Sequence, residues 1–434
     1  MQSQTSTVEQ NASVADQTPG APITLRANAL DREARLLLNL VGSFVGGPVS
    51  RDSVASARRM WNLAATTFGR QIPIASVATR HIKGPGGTIE LRIYTPNGAD
   101  GLKPGFLWCH GGGFIVGDLD ANDAICRSIA RAAGAVVVAV RYRLAPEHNL
   151  YAGREDFLAA LNWVAEHGSS IGIDSTRLAI GGDSAGGNIS AATAQENMRR
   201  GGPALKMQVL VYPATLLFGE FPSKAENARG YLLTSDFIDS LEPLIVQGVD
   251  LTDPWLSPGC ADSLQDLPPA LVITAGFDPI RDDGLAYNER LRAAGVAVES
   301  LHYPGQFHGF LNFDSVIAGA RDALSRIGAA LAHVYAGEQG ANRTIEISDR
   351  TLSRGLPFPQ DIVLDALVGG CLASRSTRQL SSSMARRLSP EFAAVAASML
   401  RPWWMPAAMM RRTMTSYLSA TTARQTYVQS PASA

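Results

Sequence analysis

The sequence predicts an α/β protein, a mostly parallel central sheet flanked by helices. Three observations carry this. From about residue 75 to 336 short β-branched and aromatic runs alternate with helix-like stretches. The apolar run Val136–Val140 (VVVAV) suits a strand buried on both faces, as parallel strands are. The glycine-rich segment IGGDSAGGN (180–188) falls where a strand-like run passes directly into a helix-like one.

The elements follow in chain order. The first 22 residues are polar and lack a basic start followed by an apolar run, so residues 1–26 are expected to form a disordered lead-in, with no secretory signal and a cytoplasmic location. Two helical patterns occupy 27–70, ALDREARLLLNLV and SRDSVASARRMWNLAATTF, the second opening on a serine suited to capping. Strands are expected at 88–95, 104–110, 135–142, 177–182, 206–213, 270–276 and 296–303, with a hairpin-like opening at 75–95 adding an antiparallel edge. Helices are expected near 122–133, 154–167, 185–199, 284–294 and 313–336.

Composition narrows the function. Of 434 residues 46% are hydrophobic and 18% charged, and the net charge of -1 gives nucleic acid nothing to bind. Cys109, Cys126, Cys260 and Cys371 are scattered, which implies neither a disulfide framework nor a zinc site. No apolar stretch approaches the roughly 18 residues of a membrane-spanning helix.

Chemistry enters with the glycine cluster. Gly182, Ser184 and Gly186 satisfy G-x-S-x-G at a strand-to-helix turn, a geometry that lifts a serine hydroxyl above the sheet edge. A glycine-rich turn without catalytic purpose is the plainer alternative, since the chain contains 41 glycines. HGGGF (110–114) follows another strand and offers N–H groups unobstructed by side chains, as an oxyanion requires. Gly112 and Gly113 are the expected donors, with Ala185 as a third, while the imidazole of His110 is expected to order the loop. A serine hydroxyl needs a base, and the base an orienting acid. Asp278 stands just past the strand ALVITAG, and His308 in the loop after the strand 296–303. Asp282 and Asp283 are rival acids, ranked lower because acids are favourable in the first turn of a helix. Asp183 is expected to hydrogen-bond surrounding loops, and Glu147 and His148 to be structural.

HGGGF (110–114), YRLAPEH (142–148), GDSAGGN (182–188), DPIRD (278–282) and HGF (308–310) stand in the order seen in the hormone-sensitive-lipase-like esterases, which this chain resembles over roughly residues 25–336. The resemblance implies an α/β-hydrolase fold with a helical cap, built from residues 27–70 and an insertion at about 214–250 on a catalytic domain of 71–336. It implies Ser184 as nucleophile, His308 as base, Asp278 as acid, and Gly112, Gly113 and Ala185 as the oxyanion hole. The activity implied is hydrolysis of short- to medium-chain acyl or aryl esters through an acyl-enzyme, with a small-molecule substrate and neither cofactor nor metal. An amide hydrolase using the same triad, or a binding protein on the same fold, are the alternatives. NLYAGRED (149–156) departs from the family, which usually places a proline and a bulky apolar residue there.

Residues 337–434 fall outside the resemblance. From 338 onward eleven arginines face six acids, for a charge of +5. SPEFAAVAASMLR (389–401) reads as an amphipathic helix, followed by the aromatic, methionine-rich PWWMPAAMMRRTM. Residues 389–420 are therefore expected to dock on the catalytic domain, to mediate homo-oligomerisation or to contact an anionic membrane surface at the inner face, with disorder as the remaining alternative.

Overall fold

The computed structural model describes residues 22–41, 46–98, 101–246, 248–349, 351 and 352. Within these residues the chain forms α1 (Arg32–Val41), α2 (Val54–Phe68), β1 (Ser76–Gly84), β2 (Gly87–Thr95), β3 (Lys103–Cys109), α3 (Asp123–Ala133), β4 (Val136–Arg141), α4 (Leu150–His167), β5 (Ile173–Asp183) and α5 (Ala185–Arg199). It continues with β6 (Leu205–Val211), α6 (Pro222–Glu226), α7 (Ser235–Ile245), β7 (Ala270–Phe277), α8 (Arg281–Ala293), β8 (Val298–Phe307), α9 (Ala318–Tyr335) and β9 (Arg343–Glu346).

The strands form one sheet in the order β1-β2-β4-β3-β5-β6-β7-β8-β9. β1 pairs antiparallel with β2, and β2 antiparallel with β4, so the hairpin at the start supplies the antiparallel edge. Every later pairing is parallel. The apolar runs explain why the centre is parallel: all eight residues of β7 and all ten of β8 are buried, which requires helices on both faces. The chain reverses its direction across the sheet at β3. Right-handed crossovers then place α3 on one face and α4, α5 and α8 on the other. This reversal is the point where open α/β sheets build their sites, beyond the carboxyl ends of the strands.

Two features differ from the sequence expectation. The strand expected to stop at residue 303 runs on to Phe307, because Ala275 pairs with Tyr303 and Phe277 with Phe307, and a bulge absorbs Pro304–Gln306. The bulged stretch is held from outside as well, by Ala27 N donating to Pro304 O and Asp31 N to Gly305 O, both at 2.9 Å. The sheet also does not end at β8. Arg343–Glu346, beyond the boundary placed at 336/337, add β9 in parallel register from Glu299↔Arg343 to His302↔Glu346. Composition had set that segment apart, yet its Ile345 and Ile347 are only 3% and 2% exposed. The expected helix and amphipathic stretch at 389–420 lie outside the described residues, as does the lead-in as far as residue 21.

Candidate active site

The site is assembled where β5 meets α5. Ser184 is the residue between them, with φ 55° and ψ -120°, a left-handed conformation that a side chain adopts only under constraint. The constraint is visible: Ser184 N donates to Val211 O at 2.8 Å, and its carbonyl accepts from Asn188 N at 3.0 Å. Gly186 is required by close approach, since a Cβ there would strike the carbonyls of Cys109 and His110 at the end of β3. The serine-bearing turn and the HGGGF loop are thereby held backbone to backbone.

His308 follows β8 directly. Its Nε2 lies 2.8 Å from Ser184 Oγ, and its Nδ1 lies 2.8 Å from Asp278 Oδ2. Asp278 is fully buried, and its other oxygen accepts from Ile280 N at 2.9 Å. Two acceptor contacts hold the carboxylate in one orientation, and Nδ1–H donating to it leaves Nε2 as the proton acceptor toward the serine. The His308 ring packs against Tyr212, centroids 4.7 Å apart. The rival acids are elsewhere: Asp282 accepts from Ser223 N and Arg281 Nε, and Asp283 from Thr215 Oγ1 and Leu216 N.

Gly112, Gly113 and Ala185 converge beside Ser184 on the same cavity. None of the three N–H groups donates to an acceptor within the described residues. Ala185 opens α5, whose first N–H groups have no intrahelical partner and carry the positive end of the helix dipole. The loop bearing the two glycines is tied down on every side. Gly111 N donates to Asp183 Oδ1 at 2.8 Å, Ala145 N to Phe114 O at 2.9 Å, and Arg58 Nε to Ile115 O at 2.7 Å. His110 contributes as an ordering residue: Nδ1 donates to Gly111 O, the ring stacks on Tyr142 at 4.4 Å, and burial draws its pKa down to about 4, so it is neutral. Glu147 forms a two-pronged pair with Arg58 of α2, and His148 N donates to Leu144 O, so both act on the loop's shape.

Burial also sets the charge state beside Ser184. Asp183 is 3% exposed, and burial pushes its carboxyl up to about 6 despite the Gly111 N–H and the nearby His308. A cavity of about 590 Å³ opens over Ser184 and His308, walled by Trp61 of α2, Phe237 and Leu241 of α7, and Leu216–Phe218. Leu241 covers Gly113 so closely that a Cβ on that glycine would meet its side chain at 2.7 Å. Among the described residues no group of His, Cys, Asp or Glu is arranged to hold a metal ion, and no helix is long and apolar enough to cross a membrane.

Sequence reasoning missed Arg154. It is completely buried within NLYAGRED, donates to Leu150 O at 2.7 Å and Leu256 O at 3.0 Å, bonds Asn188 Oδ1, and stands 5.1 Å over the Phe114 ring. A buried cation served by carbonyls and an aromatic face leaves no trace in charge patterning, and the departure read at 149–156 concerned a proline and a bulky apolar residue, not the arginine.

Comparison with known proteins agrees with this geometry. The alpha/beta hydrolase fold family matches residues 106–312. The esterase LipI of Mycobacterium tuberculosis is 45% identical over 258 residues, covering 58% of this chain and 81% of that protein. The carboxylic ester hydrolase LipN of the same organism is 40% identical over 328 residues, 73% of this chain and 87% of its own. Among solved structures, the hyperthermophilic esterase of Pyrobaculum calidifontis superposes with a TM-score of 0.66 at 37% identity, over 70% of this chain and 98% of that one. The chain belongs to the alpha/beta hydrolase fold family, in its hormone-sensitive-lipase-like branch.

Proposed function

We propose that this protein is a serine carboxylesterase in which Ser184, His308 and Asp278 form the catalytic triad. The observation that carries the reading is the unbroken run of two 2.8 Å contacts from Asp278 through His308 to Ser184 Oγ. His308 Nε2 takes the hydroxyl proton as Ser184 Oγ bonds to the ester carbonyl carbon. The N–H groups of Gly112, Gly113 and Ala185 receive the oxyanion, each such donor being worth roughly a hundred- to thousand-fold in turnover. Collapse breaks the ester C–O bond, and His308 passes its proton to the departing alkoxide. Water, deprotonated by the same nitrogen, then attacks the acyl-enzyme and frees the acid and Ser184. Asp278 holds the ring in place and stabilises the transient imidazolium.

Residues of α2 and of the insertion 214–250 serve in this reading as a cap over the cavity. Its volume falls within the usual range for small-molecule sites, about 300–1,000 Å³, and its aromatic and aliphatic walls favour acyl or aryl esters of short to medium length. The test is hydrolysis of p-nitrophenyl esters from acetate to palmitate by wild type and Ser184→Ala. The expected result is serine-dependent turnover that declines toward palmitate, with a loss on the order of a million-fold in the variant. Turnover retained by a folded Ser184→Ala protein would remove Ser184 from the mechanism.

A further inference from the structure

The six residues from Asp278 to Asp283 bind the insertion at successive points. The carbonyl of Asp278 accepts from Asn227 Nδ2 at 3.1 Å, Pro279 O accepts from Ser223 Oγ at 2.8 Å, and Arg281 Nη1 pairs with Glu226 at 2.9 Å. Asp282 Oδ2 accepts from Ser223 N at 2.8 Å. Asp283 completes the series and differs from the others. It is 1% exposed, it borders the same cavity as Ser184 and His308, and no cation pairs with it among the described residues. Its two oxygens are instead used by one segment: Oδ1 accepts from Thr215 Oγ1 at 2.5 Å and Oδ2 from Leu216 N at 3.1 Å.

A buried carboxylate without a counter-ion is costly, and burial pushes this one up to about 7. Such a group persists where its acceptors hold something in place. What they hold here is the chain that leaves β6 and becomes the cavity wall, Leu216, Leu217 and Phe218. Other anchors of that stretch are Leu217 N to Ser257 Oγ at 3.1 Å, Gly259 N to Thr215 O at 2.9 Å and Asn188 Nδ2 to Ala214 O at 2.6 Å. Asp283 is the member of this set that holds the wall from the cavity side of the sheet's carboxyl edge.

We propose that Asp283 is a specificity-determining residue, whose carboxylate fixes the Thr215–Phe218 wall against the triad-acid loop and so sets how well a longer acyl or alkyl group is packed. The inference rests on the esterase reading above. A longer chain lays more methylenes on the wall than an acetyl group does, and each methylene that packs in a formed pocket is worth about 1–3 kcal/mol of transition-state binding, or tenfold and more in kcat/KM.

Asp283→Leu is close in shape and removes both acceptors, leaving Leu216 N and Thr215 Oγ1 without that partner. The measurement is kcat and KM for p-nitrophenyl acetate and octanoate with wild type, Asp283→Leu, Thr215→Val and the double variant, each verified as folded by circular dichroism. The expected result is a fall of about tenfold in the octanoate-to-acetate ratio of kcat/KM, expressed in KM, for both variants and no larger in the double variant. Thr215→Val removes the donor from the other side and carries the test if the Asp283 variant does not fold. An unchanged ratio, or an equal loss on both esters, would overturn the proposal, the latter by placing the effect on Asp278. Absence of any Ser184-dependent turnover in the wild type would instead overturn the esterase reading, and this inference with it.

Discussion

Asp183, next to Ser184, shows how much one buried side chain can decide. Its carboxylate accepts from Gly111 N and so ties the turn bearing Ser184 to the HGGGF loop. Its folded pKa is raised from 3.8 to about 6, so the folded state holds the proton more tightly than the unfolded chain. The stability this group contributes is full below about pH 4 and is lost as pH rises through 6. Asp183→Asn should therefore gain on the wild type as pH rises, by on the order of 2 kcal/mol between pH 4 and pH 8. Urea unfolding of both proteins at the two pH values reads this directly, and a pH-independent difference would refute it. His302 runs the other way: burial lowers it to about 4, so it contributes stability above pH 6.5 that is lost as pH falls toward 4. Ser184, His308 and Asp278, which the structure joins in one hydrogen-bonded run, could be singled out in the sequence because reaction chemistry constrains residue type and order. Arg154 was not, because a buried arginine bound by carbonyls and a ring is decided by what surrounds it.

Among elements, the contact that matters most joins the start of α5 to the end of β3. Gly186 sits against the carbonyls of Cys109 and His110, so the first turn of α5 and the HGGGF loop share one rigid frame. Gly186→Ala forces them apart. We expect a loss of stability of about 1–3 kcal/mol from the overpacking, and a loss in kcat of about a hundredfold from sub-ångström displacement of the oxyanion donors. Thermal unfolding beside steady-state kinetics separates the two, and full activity in the alanine variant would show that the frame tolerates relaxation. The glycine pattern announced this junction in the sequence. The extension of β8 to Phe307 was not announced, because Pro304 and Gly305 signal a turn locally and are overruled by the bulge against β7 and by bonds from Ala27 and Asp31.

For the whole molecule, β9 is the unexpected addition. α9 packs on α3, so the connection from β8 through α9 to β9 runs with the opposite hand to the crossovers before it. The strand is nevertheless well fastened: Arg343 pairs with Glu299 at 2.7 Å, Ile345 and Ile347 are buried, and Glu346 accepts from Thr24 N at 2.8 Å. It covers the edge of β8, the strand that delivers His308. A chain ending at Ala336 should lose stability on the order of 3 kcal/mol from the two isoleucines alone and self-associate through the open edge. One ending at Leu352 should keep both properties. Thermal unfolding and size-exclusion chromatography of the two truncations decide this, and identical behaviour would mean that β9 is dispensable.

The sequence by itself determined the sheet class and most of its strands and helices, and singled out one serine, one histidine and a short list of acids, since periodicity and reaction chemistry are local constraints written in residue type. Only the tertiary structure decided which of Asp278, Asp282 and Asp283 meets His308, that Asp283 faces the cavity wall, and that residues 343–346 belong to the sheet. Those outcomes depend on which distant segments compete for one donor, one acceptor or one strand edge, and that competition is settled by packing across the fold, which no local pattern records.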